Sequence, residues 1–370
     1  MQSTSRILTL FLVLLPGLAG GCASDRPPSG GPAKPAIVQV ISSDPLPSSV
    51  NVSTQTIHLT FNNYVTVRQL LKGLIISPSV GEYDIAIKGR FAEIRMERPL
   101  KKNQTYVLSI NKSLESNWGE PLAIPYTMAF STGAVIDNAT ISGKVINADF
   151  SPATNALIVA FAEPDENIGK GSLLSRVPDY LVQAEASGSF SFNHISSGSY
   201  RVFAFNDRNH DGQYNPETEE IGLSSRAVVA TGTSDLLFRL YRMNHETLSL
   251  AANQVPHPYE TGSISGVCFT TGQYIIVNAS NATKSYSVTA FGNKKGILHY
   301  SFPELPPGSY TISAYIPSSS KQTDSKKQWS PGSIDPFLPA DPFGYFAEKV
   351  TVRARWATEH IDIQVKSSHP

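Results

Sequence analysis

The sequence predicts an all-β protein built of tandem antiparallel β-sandwiches. Three observations carry this. Apolar residues come in short runs rich in β-branched and aromatic side chains, broken by Pro, Gly and Asn. No long amphipathic helix is discernible, which argues against enzyme folds built on parallel sheets. A stretch of the second half repeats one before it, the mark of a modular chain. At 370 residues the chain is too long for one ordinary domain, so several cores are expected.

The elements follow in order. Arg6 precedes the apolar run ILTLFLVLL, Ile7 to Leu15. That run is too short for the roughly 20 residues a spanning helix needs, so it reads as a secretory signal peptide. LAGGC, Leu18 to Cys22, resembles a bacterial lipobox, although Ala19 stands where Leu is usual. The resemblance implies a signal peptide over 1–21 and acylation of Cys22, with each buried methylene contributing about 0.8 kcal/mol to membrane anchoring. Ala23 rather than Asp follows, which by the same resemblance favours the outer membrane, facing the periplasm or the surface. Residues 22–35 are rich in Pro, Gly and Ser, without hydrophobic periodicity, and read as a tether.

Residues 36–134 hold the strand-like runs IVQVISSDP, TIHLTFNNYV, YDIAIKG, FAEIRME, TYVLSINK and YTMAFSTG, with one short helical turn in VRQLLKG. The wording FNNYV, LLKGLIISPS, PLKKNQTYVLSI, GEPL and FSTG resembles the bacterial Ig-like domain named after the S-layer protein SbsA. Asn63 stands where that family often carries an acid.

Residues 138–250 and 260–367 echo each other. ATISGKVI returns as GSISGVCF, and FSFNHISSGSYRVFAF as YSFPELPPGSYTISAY. A strand, a turn ending in Gly-Ser-Tyr and a second alternating strand resemble the prealbumin-like sandwiches of carboxypeptidase regulatory-like and Cna-type modules. The resemblance implies that Tyr200 and Tyr310 are core residues. The whole order resembles Ig-like domain lipoproteins of the Bacteroidetes kind. The boundaries between segments fall near Gly133 to Asn138 and Asn253 to Tyr259.

The second segment contains FNDRNHDGQYNPETEE, Phe205 to Glu220. Calcium takes six to eight oxygens, and an EF-type loop supplies them from positions 1, 3, 5, 7, 9 and 12 with Gly at 6. Asp207, Asn209, Asp211 and Gly212 match the first half, Gln213 offers its carbonyl, and Asn215 a direct or water-mediated oxygen. Thr218 occupies position 12, with Glu217, Glu219 and Glu220 beside it. The candidate calcium set is therefore Asp207, Asn209, Asp211, Gln213, Asn215, Glu219 and Glu220. The alternative is a polar hairpin closed by Asp-Gly. The equivalent stretch of the third segment, SSKQTDSKKQWSPGS, carries lysines in place of oxygens and predicts no calcium site. Further on, VTVRARWA alternates as a closing strand. Phe337, Phe343, Tyr345 and Phe346 offer either an aromatic contact surface or caps on the sandwich edge.

Lys and Arg balance Asp and Glu at 30 each, which gives no electrostatic support to a nucleic-acid partner. Two cysteines, Cys22 and Cys268, cannot make a disulfide framework, and Cys268 reads as a buried strand residue. No nucleophile elbow, zinc-protease motif, phosphate loop or dinucleotide fingerprint occurs. The expected function is a lipid-anchored, extracytoplasmic structural or interaction protein of the bacterial envelope, non-enzymatic. Its partners are the membrane through acylated Cys22 and an envelope protein or glycan, and structural calcium is its one candidate cofactor. A glycan- or peptide-binding lipoprotein is the alternative, and an unrecognised hydrolase stands third.

Overall fold

The structure is a computed structural model that describes residues 37–111, 113–117, 119–122, 124–163, 173–209, 211–242, 260–270, 274–291, 296–317 and 328–366. The expected signal peptide, Cys22, the whole tether, the linker at 253–259 and the lysine-bearing stretch up to residue 327 lie outside the described residues. Among the described residues no helix is long and apolar enough to cross a membrane.

The described chain is almost entirely β. The first module has strands β1 (Val40–Asp44), β2 (Thr56–Phe61), β3 (Leu74–Ser77), β4 (Tyr83–Lys88), β5 (Phe91–Met96), β6 (Thr105–Ile110) and β7 (Tyr126–Ser131). They form two antiparallel sheets, ordered β1-β2-β5-β4 and β3-β6-β7. Alternation explains the layers: in TIHLTF, Ile57, Leu59 and Phe61 turn inward and are at most 1% exposed, while His58 faces water. The expected helical turn is α1 (Val67–Gly73). It starts there because Thr66 and Gln69 form a capping box, in which Gln69 N–H donates to Thr66 Oγ1 (3.3 Å) and Thr66 N–H to Gln69 Oε1 (2.8 Å).

The second module comprises β8 (Ala139–Ile146), β9 (Leu157–Ala162), β10 (Tyr180–Gln183), β11 (Ser189–Ile195), β12 (Ser199–Phe205), β13 (Ile221–Leu223), β14 (Val229–Ala230) and β15 (Leu236–Arg239). The third comprises β16 (Gly262–Phe269), β17 (Tyr274–Ser280), β18 (Ser285–Phe291), β19 (Ile297–Leu305), β20 (Gly308–Tyr315), β21 (Ser333–Ile334), β22 (Phe337–Leu338), β23 (Phe343–Tyr345), β24 (Val350–Val352), β25 (Ala357–Thr358) and β26 (Ile363–Gln364). Their sheets correspond strand for strand. β11-β8-β15 matches β19-β16-β26, with β25 also on β16. β10-β9-β12-β13 matches β18-β17-β20-β23, with β14 on β12 and β24 on β20. The hairpin β21-β22 is the third module's addition.

The repeated residues have repeated jobs. Tyr200 and Tyr310 are 3% and 0% exposed, core residues as expected. Each donates its hydroxyl to the carbonyl four residues back, Ser196 O at 2.6 Å and Pro306 O at 2.8 Å. Each lies opposite the corresponding strand, Tyr200 against Val229 and Tyr310 against Val350. The glycine of the shared Ile-Ser-Gly is also explained. A Cβ on Gly143 or Gly266 would collide with the carbonyl of Leu236 or Ile361, because the module's last segment passes directly over it.

One expectation fails. VTVRARWA is not a single closing strand: β24 ends at Val352, and Arg355 takes a left-handed φ of 61°. There the chain crosses from one sheet to the other, with Arg355 N–H bonded to Thr261 O (2.7 Å) and Trp356 left 66% exposed. Alternation in sequence mimicked one strand where a corner joins two.

Candidate functional site

Three places gather polar or aromatic side chains: the loop between β12 and β13, and the two junctions between modules. The loop, residues 206–220, begins with a tight turn closed by its own side chains. Asp207 Oδ2 accepts from Gly212 N–H (3.0 Å), Asn209 Oδ1 from Asp211 N–H (3.2 Å), and Asp211 Oδ1 from Gln213 N–H (2.8 Å). Asn209 Nδ2 donates to Asp211 Oδ2 (2.8 Å). Gly212, at φ 73°, supplies the left-handed residue this turn needs.

Glu219 is 0% exposed and ties the loop's ends together, with Arg208 N–H on Oε1 and Asn215 N–H on Oε2, both at 2.9 Å. Glu220 turns instead to the Arg208 guanidinium (3.0 Å), and the Asn215 side chain caps Glu217 N–H (3.0 Å). Beneath, Tyr214 packs edge-on to Phe205. Burial first, then the Glu219 carboxylate, push its hydroxyl up to about 12.

The structure thus brings Asp207, Asn209 and Asp211 into one turn, joins Glu219 to that turn through Arg208 N–H, and engages Glu220 and Asn215 elsewhere. Asp207 Oδ1 is buried without a hydrogen-bond partner from the protein. A buried carboxylate oxygen left without a donor fits a hard cation such as calcium. Among the described residues no group of three or more His, Cys, Asp or Glu is gathered to hold a metal. A shell here therefore needs amide and backbone oxygens as well.

The junction between the second and third modules is apolar. β9 is buried on both faces, and Leu157, Val159 and Phe161 join Phe203, Phe205, Ile221 and Leu223 in a layer outside the sandwich core. Ile334 and Ala340 of the third module cover it, with Trp329 and Phe337 at the margin. A second cluster joins Ile146 to Ile276, Tyr315 and Phe343. Arg239 lies between the rings of Phe150 (4.2 Å) and Trp329 (5.1 Å), where burial lowers its pKa and two π faces offset the lost hydration. Asp235 bridges Arg226 (3.2 Å) and, across the junction, Lys366 (2.9 Å).

This layer answers the question of the tail aromatics. Phe337, Phe343 and Tyr345 pack at the junction, and Phe346 packs against the third module's own core. The contact surface of Phe337, Phe343 and Tyr345 is the neighbouring module.

The junction between the first and second modules is polar. β3 and β10, each the edge of its sheet, meet at Ser77, whose hydroxyl accepts from Leu181 N–H (3.1 Å) and donates to Leu181 O (3.4 Å). In the linker, Asp137 N–H donates to Thr105 Oγ1 (2.9 Å), its carboxylate accepts from Ser196 Oγ (3.0 Å), and its carbonyl from His194 Nδ1 (3.0 Å). Asp137, His194 and Ser196 are thus wired as a strut, since the hydroxyl bonds the carboxylate and not the imidazole that a nucleophile would require. Cys268 is fully buried, and burial, with Asp362 adding, raises its thiol to about 12.

Two cavities flank the Ser77–Leu181 contact. One of about 900 Å³ extends from α1 to residues 206–213, and one of about 640 Å³ lies between β6 and β11. Sequence reading missed both, and missed Ser77, because they exist only between modules.

Residues 34–132 match the family model described as a bacterial Ig-like domain. No curated protein matches the sequence. Similar solved structures include an L,D-transpeptidase from Mycobacterium smegmatis (16% identity, 45% of this chain and 76% of that chain, TM-score 0.20). The N-terminal part of the bacterial S-layer protein SbsC is 14% identical over 54% of this chain and 42% of that chain, with a TM-score of 0.20. BcpA, the major pilin subunit of Bacillus cereus, is 10% identical over 55% and 70%, with a TM-score of 0.18. Likenesses at this level carry no functional argument.

Proposed function

We propose that this chain is a non-enzymatic structural and interaction protein of the bacterial envelope, held at the outer membrane by lipid on Cys22. On this reading it presents sandwich modules that hold an envelope protein or glycan. The observation that carries the reading is the Ig-like match at 34–132 followed by two sandwiches clasped by an apolar layer. Such an array is suited to spacing and bearing load. The clustered Asp137, His194 and Ser196 serve as a strut between modules, and Cys268 is buried, so neither supplies an activated nucleophile in this arrangement.

The anchor is tested by labelling cells with radioactive palmitate. Wild-type protein should take up label and sediment with outer membranes, while Cys22→Ser should be unlabelled and soluble. Label on the Cys22→Ser protein, or none on either, would overturn the anchor.

On the same reading the 206–220 loop holds a structural calcium ion, with Asp207, Asn209 and Asp211, which share one turn, among its ligands. Extracellular modules of this class bind at about 0.1–1 mM. A ligand at 100 times its dissociation constant adds about 2.7 kcal/mol. The whole chain, melted in EDTA and then in saturating calcium, should gain several degrees in the transition containing the second module, and Asp207→Ala should abolish the gain. Equal melts with and without calcium would leave the loop a solvated hairpin.

A further inference from the structure

The two cavities share Ile75, Ser77, Asn111, Thr154, Asn155, Leu181 and Gln183, so they adjoin as two arms of a groove on either side of the Ser77–Leu181 contact. Its larger part falls in the range of about 300–1,000 Å³ typical of ligand clefts, and module boundaries are a usual place for them.

The lining indicates the ligand. In the calcium-free chain the charged residues balance, with Lys72, Arg176 and Arg208 against Asp207, Asp211 and Glu185. Arg208 is already paired with Glu220, and Arg176 lies over Phe161. A charged ligand therefore gains no field. What remains is neutral: the amides of Asn111, Asn155 and Gln183, several hydroxyls, and two exposed apolar side chains, Leu71 at 50% from the first module and Val177 at 70% from the second. Amides both donate and accept, as sugar hydroxyls do, and the apolar side chains suit the C–H faces of sugar rings.

A peptide would instead seek a free sheet edge. Here β3 and β10 close against each other, and Ser77 occupies both the N–H and the carbonyl of Leu181. Two adjoining arms suit a chain-like ligand over a single small molecule.

We propose that this groove binds a neutral oligosaccharide strand. The assignment rests on reading the chain as an envelope module protein, and names the partner class for it.

The test is calorimetric titration of the purified chain with neutral tetrasaccharides of β1,4-linked N-acetylglucosamine, β1,4-linked glucose and α1,4-linked glucose, with an extended uncharged hexapeptide in parallel. At least one sugar should bind, with affinity unchanged between low and high salt. Thr154→Trp, an exposed position shared by both cavities, should weaken binding at least tenfold. If that variant melts below wild type, Gln183→Ala, at another position shared by both cavities, should still weaken binding about threefold. The proposal is overturned if no sugar binds, if the peptide alone binds, if binding falls with salt, or if both variants bind like wild type. None of these outcomes depends on the lipid anchor, so the Cys22 result stands or falls separately.

Discussion

The second and third modules meet through side chains that water would otherwise wet, whereas the first and second meet through hydroxyls and linker backbone. In the former, a sheet face carrying Leu157, Val159, Phe203 and Phe205 is covered by Ile334 and Ala340. In the latter, contacts at Ser77 and Asp137 leave a groove on either side. Burial is non-directional and grows with area, so the apolar junction should hold two sandwiches as one cooperative body. Hydrogen bonds near water fix geometry but add little net energy. The difference divides the chain into a rigid pair and a more adjustable first module.

The largest effect should come from Ile334→Ala. Truncating a buried isoleucine costs about 2–5 kcal/mol, and Ile334 is 5% exposed. Calorimetry of the wild-type chain should show the second and third modules unfolding together. The variant should lower that shared transition and leave the first module's unchanged. Separate unfolding of the pair in the wild type would break the comparison. It also follows that the second module expressed alone exposes its outer layer and should associate, so its stability is best read in the whole chain.

Acid should act next. Burial works to raise the Asp235 carboxyl, but hydrogen bonding to Lys366 and the charges of Arg226 and Lys366 outweigh it and hold the group below its ordinary value. A depressed carboxyl contributes stability that is present above its unfolded value, near pH 4, and lost as pH falls through the folded one. The shared transition should therefore lose stability below about pH 4. Asp235→Asn should flatten part of that dependence, with high salt acting in the same direction because Lys366 is half exposed. An unchanged acid limb in Asp235→Asn would remove the latch from the account.

Much of this architecture was legible in the chain. Alternating TIHLTF specified a sandwich face, because period-two patterns report a face directly, while the buried Tyr200 and Tyr310 were implied by the resemblance that the repeated Gly-Ser-Tyr turn carries. The strands of LIVAFA and RVFAF are buried on both faces, which the expectation of an alternating strand after Gly-Ser-Tyr did not anticipate. Phe337 and Phe343 were readable as contact residues without their partner, since hydrophobicity carries no address. In the calcium candidate, spacing placed Asp207, Asn209 and Asp211 in one turn, but it could not show that Glu219 ties loop backbone or that Glu220 turns to Arg208. VTVRARWA misled because a left-handed corner at Arg355 leaves no mark in hydropathy. The groove had no sequence signal at all, being a property of how two modules sit together.

The smallest effect should come from Ser77→Ala, and it bears most directly on the division. The change removes two hydrogen bonds to Leu181, each contributing roughly 1 kcal/mol net where water cannot replace it. Beside two open cavities water can enter and bridge, so the loss should stay below about 1.5 kcal/mol, with little shift in any transition. What should change is geometry. Spin labels on the exposed positions 88 and 217, one in each module, should report a broader distance distribution in Ser77→Ala than in wild type. Ile334→Ala should leave that distribution narrow, because the seam it weakens lies elsewhere. If Ser77→Ala instead cost as much stability as Ile334→Ala, the polar junction would be holding more than two hydrogen bonds, and the first module would belong to the same rigid body as the other two.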